Sequence, residues 1–406
     1  MQKREFLKAC ASLAGASMVG CAGYAKPVGP RPRLSETDVP GVWDAILGRL
    51  PPELSVLAND PANEVQIVYT PVRRVDGKVQ IPRSYTFGVV PERWYPANGM
   101  ASLPLALLAA QNLGGWRLDL DTAIELEGKP GGVWAADEPA AEKVSRSLRR
   151  IFAVDEPSPY NRLFDFLGTD DIYDGLSRMG YANSRLIAHL GGDETKEVVT
   201  TRGGRLVSTA SNRTLTQWRE RQGREFLYPY GQAMKGKAWT QANGQIVQGP
   251  HDFTRYNFLP LQDLHDMLVA LIYPETAPAK HRWAIPTATR NQLLSLMQTL
   301  PRGSTDPGYG TTRFADGYSN YLVIGDSRDT KPDSLSLIGK SGKGLGHVSD
   351  VRYIRDANTG VECFIGAVIY CNNDGGINDE RYDYSQTGIP FLAALGRAAL
   401  AATPEM

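Results

Sequence analysis

Three groups of residues in this 406-residue chain could do chemistry. Ser102 supplies a hydroxyl at the head of a long apolar run, just ahead of Leu103-Pro104. At a helix N-terminus, where the backbone adds positive potential, such a serine could act as a nucleophile with Lys340 as its activating base. It could equally be a plain N-cap. Asp155-Glu156, just before Pro157, could be general acid or base groups if desolvated, and otherwise form a charged turn. Lys340-Ser341-Gly342 puts a cation and a hydroxyl side by side; its plainer reading is a solvated lysine in a turn before a Gly-rich strand.

Strand-like and helix-like segments must position these groups. Residues 64–70 and 84–90 alternate and are rich in β-branched and aromatic side chains, with Asp76-Gly77 between them as a hairpin signal. Leu103 to Leu113 is apolar almost all round and stops at Gly114-Gly115, which predicts a buried helix. Pro104 then belongs in its first turn. Residues 140–152, 160–167, 261–272 and 290–300 read as further helices, and Gly128 to Pro139 as a loop. Residues 321–325, 336–338, 351–355 and 362–370 read as short strands, and 388–402 as a closing helix. The Arg-rich stretch Arg219 to Arg224 reads as a solvated helix face, and Ser158 as the N-cap of the helix after it. Strands at both ends with helices between predict an α/β sandwich, the terminal parts sharing one antiparallel sheet.

Composition excludes several function classes. Acidic and basic residues balance at 44 each, so no overall field favours nucleic acid or an anionic membrane. The five histidines are scattered without ligand spacing, so no metal or other cofactor is expected. Cys363 and Cys371 lie eight residues apart in one strand-like run, roughly 26 Å if extended, so no disulfide is expected between them. Lys3, Arg4 and Lys8 precede a short run of small and apolar residues from Ala9 to Gly20, which reads as an export signal. Lys3-Arg4-Glu5-Phe6-Leu7-Lys8 resembles a twin-arginine (Tat) signal with Lys in the first basic place. Met18-Val19-Gly20-Cys21 resembles a lipobox, with Cys21 as the lipidated residue. The expected division is residues 1–21 as export signal, 22–40 as flexible leader and 41–406 as the folded domain. A periplasmic, membrane-anchored lipoprotein follows, touching the membrane only through its lipid.

The stretch from Trp94 through Tyr95-Pro96-Ala97-Asn98-Gly99-Met100-Ala101-Ser102 to Leu113 resembles the nucleophile helix of the class A β-lactamase and penicillin-binding serine hydrolases. Two further blocks carry the resemblance. One is Tyr160-Asn161-Arg162-Leu163-Phe164-Asp165-Phe166-Leu167-Gly168. The other runs from Ile338-Gly339-Lys340-Ser341-Gly342 through Asp350 and Tyr353 to Tyr370, Asn378-Asp379 and Gly388-Ile389-Pro390. The resemblance spans about residues 64–400 and looks most like an uncharacterised bacterial branch of the superfamily. It implies a β-lactamase/transpeptidase-like fold, with sheet parts at about 60–95 and 315–406 and a helical subdomain at about 98–312.

The family's Ser-x-x-Lys pair is absent in either register. Counting from Tyr-Pro-Ala puts Asn98 in the Ser slot and Ala101 in the Lys slot; counting back from Leu-Pro puts Gly99 and Ser102 there. The Ser-Asp-Asn motif falls on Asp155-Glu156-Pro157. The Lys-Ser-Gly wall is intact. The resemblance implies that Lys340 and Ser341 bind a carboxylate, with Asn98 and Gly342 beside it and the Lys343 amide facing a developing oxyanion. Three readings follow: a pseudoenzyme binding a small peptide or carboxylate ligand of the cell envelope or a protein partner, a divergent esterase, amidase or peptidase using Ser102 with Lys340, or a purely structural envelope lipoprotein that needs no cleft. β-Lactamase activity is not expected in any of them.

Overall fold

The computed structural model describes residues 40–405 apart from 82, 129–137, 192–199 and 311; the export signal, Cys21 and most of the Gly128 to Pro139 loop lie outside the described residues. Strands Leu335–Gly344, His347–Asp356, Glu362–Tyr370 and Gln66–Val75 follow one another in an antiparallel sheet. The short strands Lys78–Gln80 and Tyr85–Phe87 both pair with Gln66–Val75 at its far edge. Asp76 and Gly77 do turn the chain, at φ 50° and 74°, but the turn joins Gln66–Val75 to Lys78–Gln80 rather than to the 84–90 segment. Positive φ at both central residues matches the right-handed twist of a tight hairpin.

The four long strands are largely buried on both faces. Ile67, Tyr69, Ile354, Cys363, Ile365 and Ile369 pack in one layer with helices Pro40–Leu47 and Ile389–Ala402. The alternating partners Val68, Val72, Tyr353, Phe364 and Val368 pack in the other, against helices Ser102–Gly115 and Leu261–Ile272. Side chains that alternate across a strand must find two apolar layers here. Cys363 and Cys371 are both free and buried. The Ser102–Gly115 helix is enclosed on all sides, Leu103, Leu105 and Leu107 being fully buried, so truncating any of the three to Ala is expected to cost about 2–5 kcal/mol.

The middle of the chain departs from the sequence expectation in places. Residues 141–143 form a strand, and the following helix spans Val144–Val154. Segments between Thr200 and Asp252 form short strands, so the region is not helical throughout. Arg221 belongs to one of them, Arg221–Gln222, and donates to the carbonyls of Asp165 and Phe166 instead of lying on a helix face. Residues 321–325 form turns around Tyr321 rather than a strand. Two backbone N–H groups there, of Tyr321 and Leu322, are taken by one buried carboxylate, Asp350, so no ladder is needed to satisfy them.

Candidate functional site

Two local sequences bring the site together. Val144–Val154 ends at Asp155, whose φ of 59° and ψ of 42° place it in the left-handed region that Asp tolerates better than most residues. Pro157 then opens the next helix, Pro157–Leu167, and holds Glu156 extended as its N-cap residue. Ser158 lies inside that helix, so the N-cap expected of it falls to Glu156. The corner projects Asp155 toward the sheet. Opposite it, Lys340 sits in the middle of the Leu335–Gly344 strand and is 1% exposed.

Lys340 Nζ donates to Asp155 Oδ1 at 2.6 Å and to the Ser341 carbonyl at 3.0 Å. Its ammonium is therefore enclosed and neutralised inside the chain, while the Asp155 side chain keeps 32% of its surface open. Glu156 takes no part: Arg150 and the Tyr309 hydroxyl hold its carboxylate.

Gly99 faces this pair. A Cβ at position 99 would overlap Asp155 Oδ2 and lie 2.6 Å from both Asp155 Oδ1 and the Ser341 carbonyl oxygen. A Cβ at Gly342 would in turn lie 2.8 Å from the Gly99 nitrogen and 3.1 Å from that of Met100. The Lys-Ser-Gly strand and the head of the helix thus meet backbone to backbone, which only glycine at both positions permits. Asn98, with φ of 44°, starts a 3₁₀ turn over Asn98–Ala101 and reaches the Gly344 carbonyl at 3.4 Å. Residues three apart eclipse in such a turn, so Ser102 lies one turn below Gly99 on the same face. Gly99 faces the Asp155–Lys340 pair, while the Asn98 side chain lies against Gly342 and Gly344 of the strand.

Ser102 begins the Ser102–Gly115 helix without capping it; the N-cap residue is Ala101. The Ser102 hydroxyl is buried and has no hydrogen-bond partner among the described residues. Lys340 makes no hydrogen bond to it, so the geometry does not bring the two together as nucleophile and base. Ser341 is also buried, and its side chain is hydrogen-bonded to the Tyr321 hydroxyl. Lys343 is exposed, its Nζ lying 5.8 Å from the centroid of the Tyr318 ring.

Tyr318 and Tyr321 are site residues with no counterpart among the sequence candidates. Burial first, and the Asp155 charge second, raise both phenols above their ordinary range, that of Tyr321 far above it. Both stay protonated at neutral pH. The loop bearing them is pinned from below: Asp350 accepts the Tyr321 and Leu322 amides and pairs with Arg352, whose guanidinium also reaches the Ser319 carbonyl and Asn320. A water-sized cavity of about 10 Å³ lies beside Asn98, lined by Trp94, Ala97, Leu190, Tyr256 and Asn257. Among the described residues no cluster of His, Cys, Asp or Glu is arranged to hold a metal.

No protein-family model matches the chain, and no curated protein does. Solved structures do. PBP-A is similar over 91% of this chain and 97% of its own, at 11% identity and a TM-score of 0.52. A PBP-A mutant held as the acyl-enzyme with penicillin G is similar over 93% and 100%, at 11% identity and a TM-score of 0.53. A β-lactamase from Sphaerobacter thermophilus aligns over 90% and 98%, at 13% identity and a TM-score of 0.48. With its antiparallel sheet between two helical layers, this chain has the fold of PBP-A.

Proposed function

We propose that this protein is a pseudoenzyme: a lipid-anchored envelope protein that uses a serine hydrolase scaffold to bind a ligand or partner without cleaving it. The observation that carries the reading is the Asp155–Lys340 pair lying against Gly99. Gly99, which faces this pair, has no side chain, and the space a Cβ there would need is occupied by the Asp155 carboxylate. The wall lysine is bound internally and makes no hydrogen bond to the Ser102 hydroxyl. Loss of one member of such a unit typically removes orders of magnitude in rate.

Anchoring rests on the lipobox-like Met18-Val19-Gly20-Cys21 and the basic, Tat-like segment before it. Labelling cells with an alkyne fatty acid tests it: the chain should take the label, and Cys21→Ser should lose it. The carboxylate-bearing ligand implied by the resemblance would first have to displace Asp155 from Lys340.

One observation favours a second reading, a divergent esterase, amidase or peptidase. The Ser102 hydroxyl is enclosed at a helix start with its hydrogen-bonding capacity unused. The two readings separate in a hydrolysis assay of wild type and Ser102→Ala against a chromogenic ester, an anilide and a cephalosporin. The pseudoenzyme reading expects no turnover above buffer from either protein. Turnover that Ser102→Ala abolishes would establish the hydrolase.

A further inference from the structure

Of the two groups in the Asp155–Lys340 pair, the one this site opens to solvent is the carboxylate. Lys340 is 1% exposed and spends two of its three donors on Asp155 and the Ser341 carbonyl. Asp155 gives Oδ1 to Lys340, while its Oδ2 accepts no hydrogen bond among the described residues, and a third of the side chain is open. A carboxylate oxygen in that state can accept a charge-assisted hydrogen bond. A second carboxylate brought to the same spot would meet a like charge and a lysine already paired.

Tyr318 supplies the other half. Its side chain is exposed, on a 3₁₀ turn over Asp316–Ser319 that packs at the Asp155 corner, Ser319 Oγ donating to the Ala153 carbonyl at 2.9 Å. Tyr318 packs edge-on against Phe314 with centroids 4.7 Å apart, and Phe314 packs likewise on Tyr309 at 5.7 Å. The chain itself places an ammonium at the Tyr318 ring, that of exposed Lys343. An aromatic face beside an open carboxylate is a cation-accepting arrangement.

We infer that the cleft beside the Lys-Ser-Gly strand takes a ligand through an ammonium group, which donates to Asp155 Oδ2 and lies on Tyr318 in place of the Lys343 side chain. The inference rests on the non-hydrolytic reading, because it needs the Asp155–Lys340 pair to persist when ligand is bound. It deepens that reading by naming the ligand as an amine-bearing one, such as a peptide presenting a free amino group.

Saturation-transfer NMR on the full-length chain tests it, with n-butylammonium and n-butyrate as the two probes. The amine should receive saturation and the butyrate should not. Asp155→Asn, close to isosteric and able to accept from Lys340, should weaken amine binding by about tenfold. Tyr318→Leu, at an exposed position, should weaken it by about threefold. Lys343→Met, which removes the competing cation, should tighten it. Saturation of butyrate in preference to the amine, equal saturation of both, or amine binding unchanged in both Asp155→Asn and Tyr318→Leu would each overturn the inference. Failure of the non-hydrolytic reading would register differently, as Ser102-dependent turnover or a covalent adduct.

Discussion

Asp155 and Lys340, 185 positions apart in sequence, meet at 2.6 Å between a left-handed helix corner and the middle of a sheet strand. The contact closes over Gly99 and holds the helix start against the strand. Two positively placed backbone dihedrals, at Asn98 and Asp155, converge on it from opposite sides. Strain of this kind persists only where the surroundings fix it, and it concentrates at functional sites.

Glycine is required at position 99 for steric reasons, since its backbone is not in the left-handed region. Gly99→Ala should cost about 1–3 kcal/mol in urea unfolding, because the methyl meets the Asp155 carboxylate and the Ser341 carbonyl. Adding Asp155→Gly should make the pair less destabilising than the sum of the singles, a coupling of contacting residues.

Removing one partner of the ion pair should cost more than removing both. Asp155→Ala leaves the Lys340 ammonium enclosed without its counter-charge, a loss of about 3 kcal/mol, at the low end for buried pairs because Asp155 reaches solvent. Asp155→Ala combined with Lys340→Met should recover part of that loss in the same assay.

Asp350 supports the site at one remove. It is fully buried, pairs with Arg352 at 2.9 Å and accepts the Tyr321 and Leu322 amides. Asp350→Ala should destabilise the fold by about 3–5 kcal/mol. By loosening the 318–322 loop it should also raise the exposure of Tyr318 and Tyr321, read as faster acrylamide quenching of tyrosine fluorescence in the folded protein.

Acid should weaken the fold through His347. Its Nδ1–H donates to the Leu345 carbonyl at 2.9 Å, and its Nε2 is enclosed without a partner among the described residues. Burial first, then the Lys235 charge, hold the imidazole well below its ordinary value of 6.5. Between the depressed folded value and 6.5 the unfolded chain binds a proton that the folded chain does not, so stability falls as pH falls through this window. One such proton gives a slope of about 1.4 kcal/mol per pH unit. The urea midpoint should drop from pH 7.5 to 5.5, and His347→Phe should lessen the drop.

Much of the architecture was legible because period-2 alternation and Gly stops are local signals. Helix Leu261–Ile272 and strand Glu362–Tyr370 lie where the pattern predicts them. The 200–258 region was not legible, since its strands are two to five residues long and draw their order from one another, as in the stacking of Trp94 on Phe253. At the site, Lys340 was found by its Lys-Ser-Gly context, but Asp155 read most simply as a charged turn. Nothing local distinguishes a solvated aspartate from one that a left-handed corner turns onto a buried lysine. Tyr318 and Tyr321 carried no motif; a loop pinned by Asp350 is a tertiary fact.

Intact-mass spectrometry of the folded protein, after incubation with a fluorophosphonate and separately with a penicillin, reads out whether any side chain is acylated or phosphonylated. With Gly99 facing the wall and Lys340 held by Asp155, the mass should stay unmodified with either reagent at high excess. A stoichiometric adduct mapped to Ser102 would contradict it and make the protein a serine hydrolase with a relocated nucleophile.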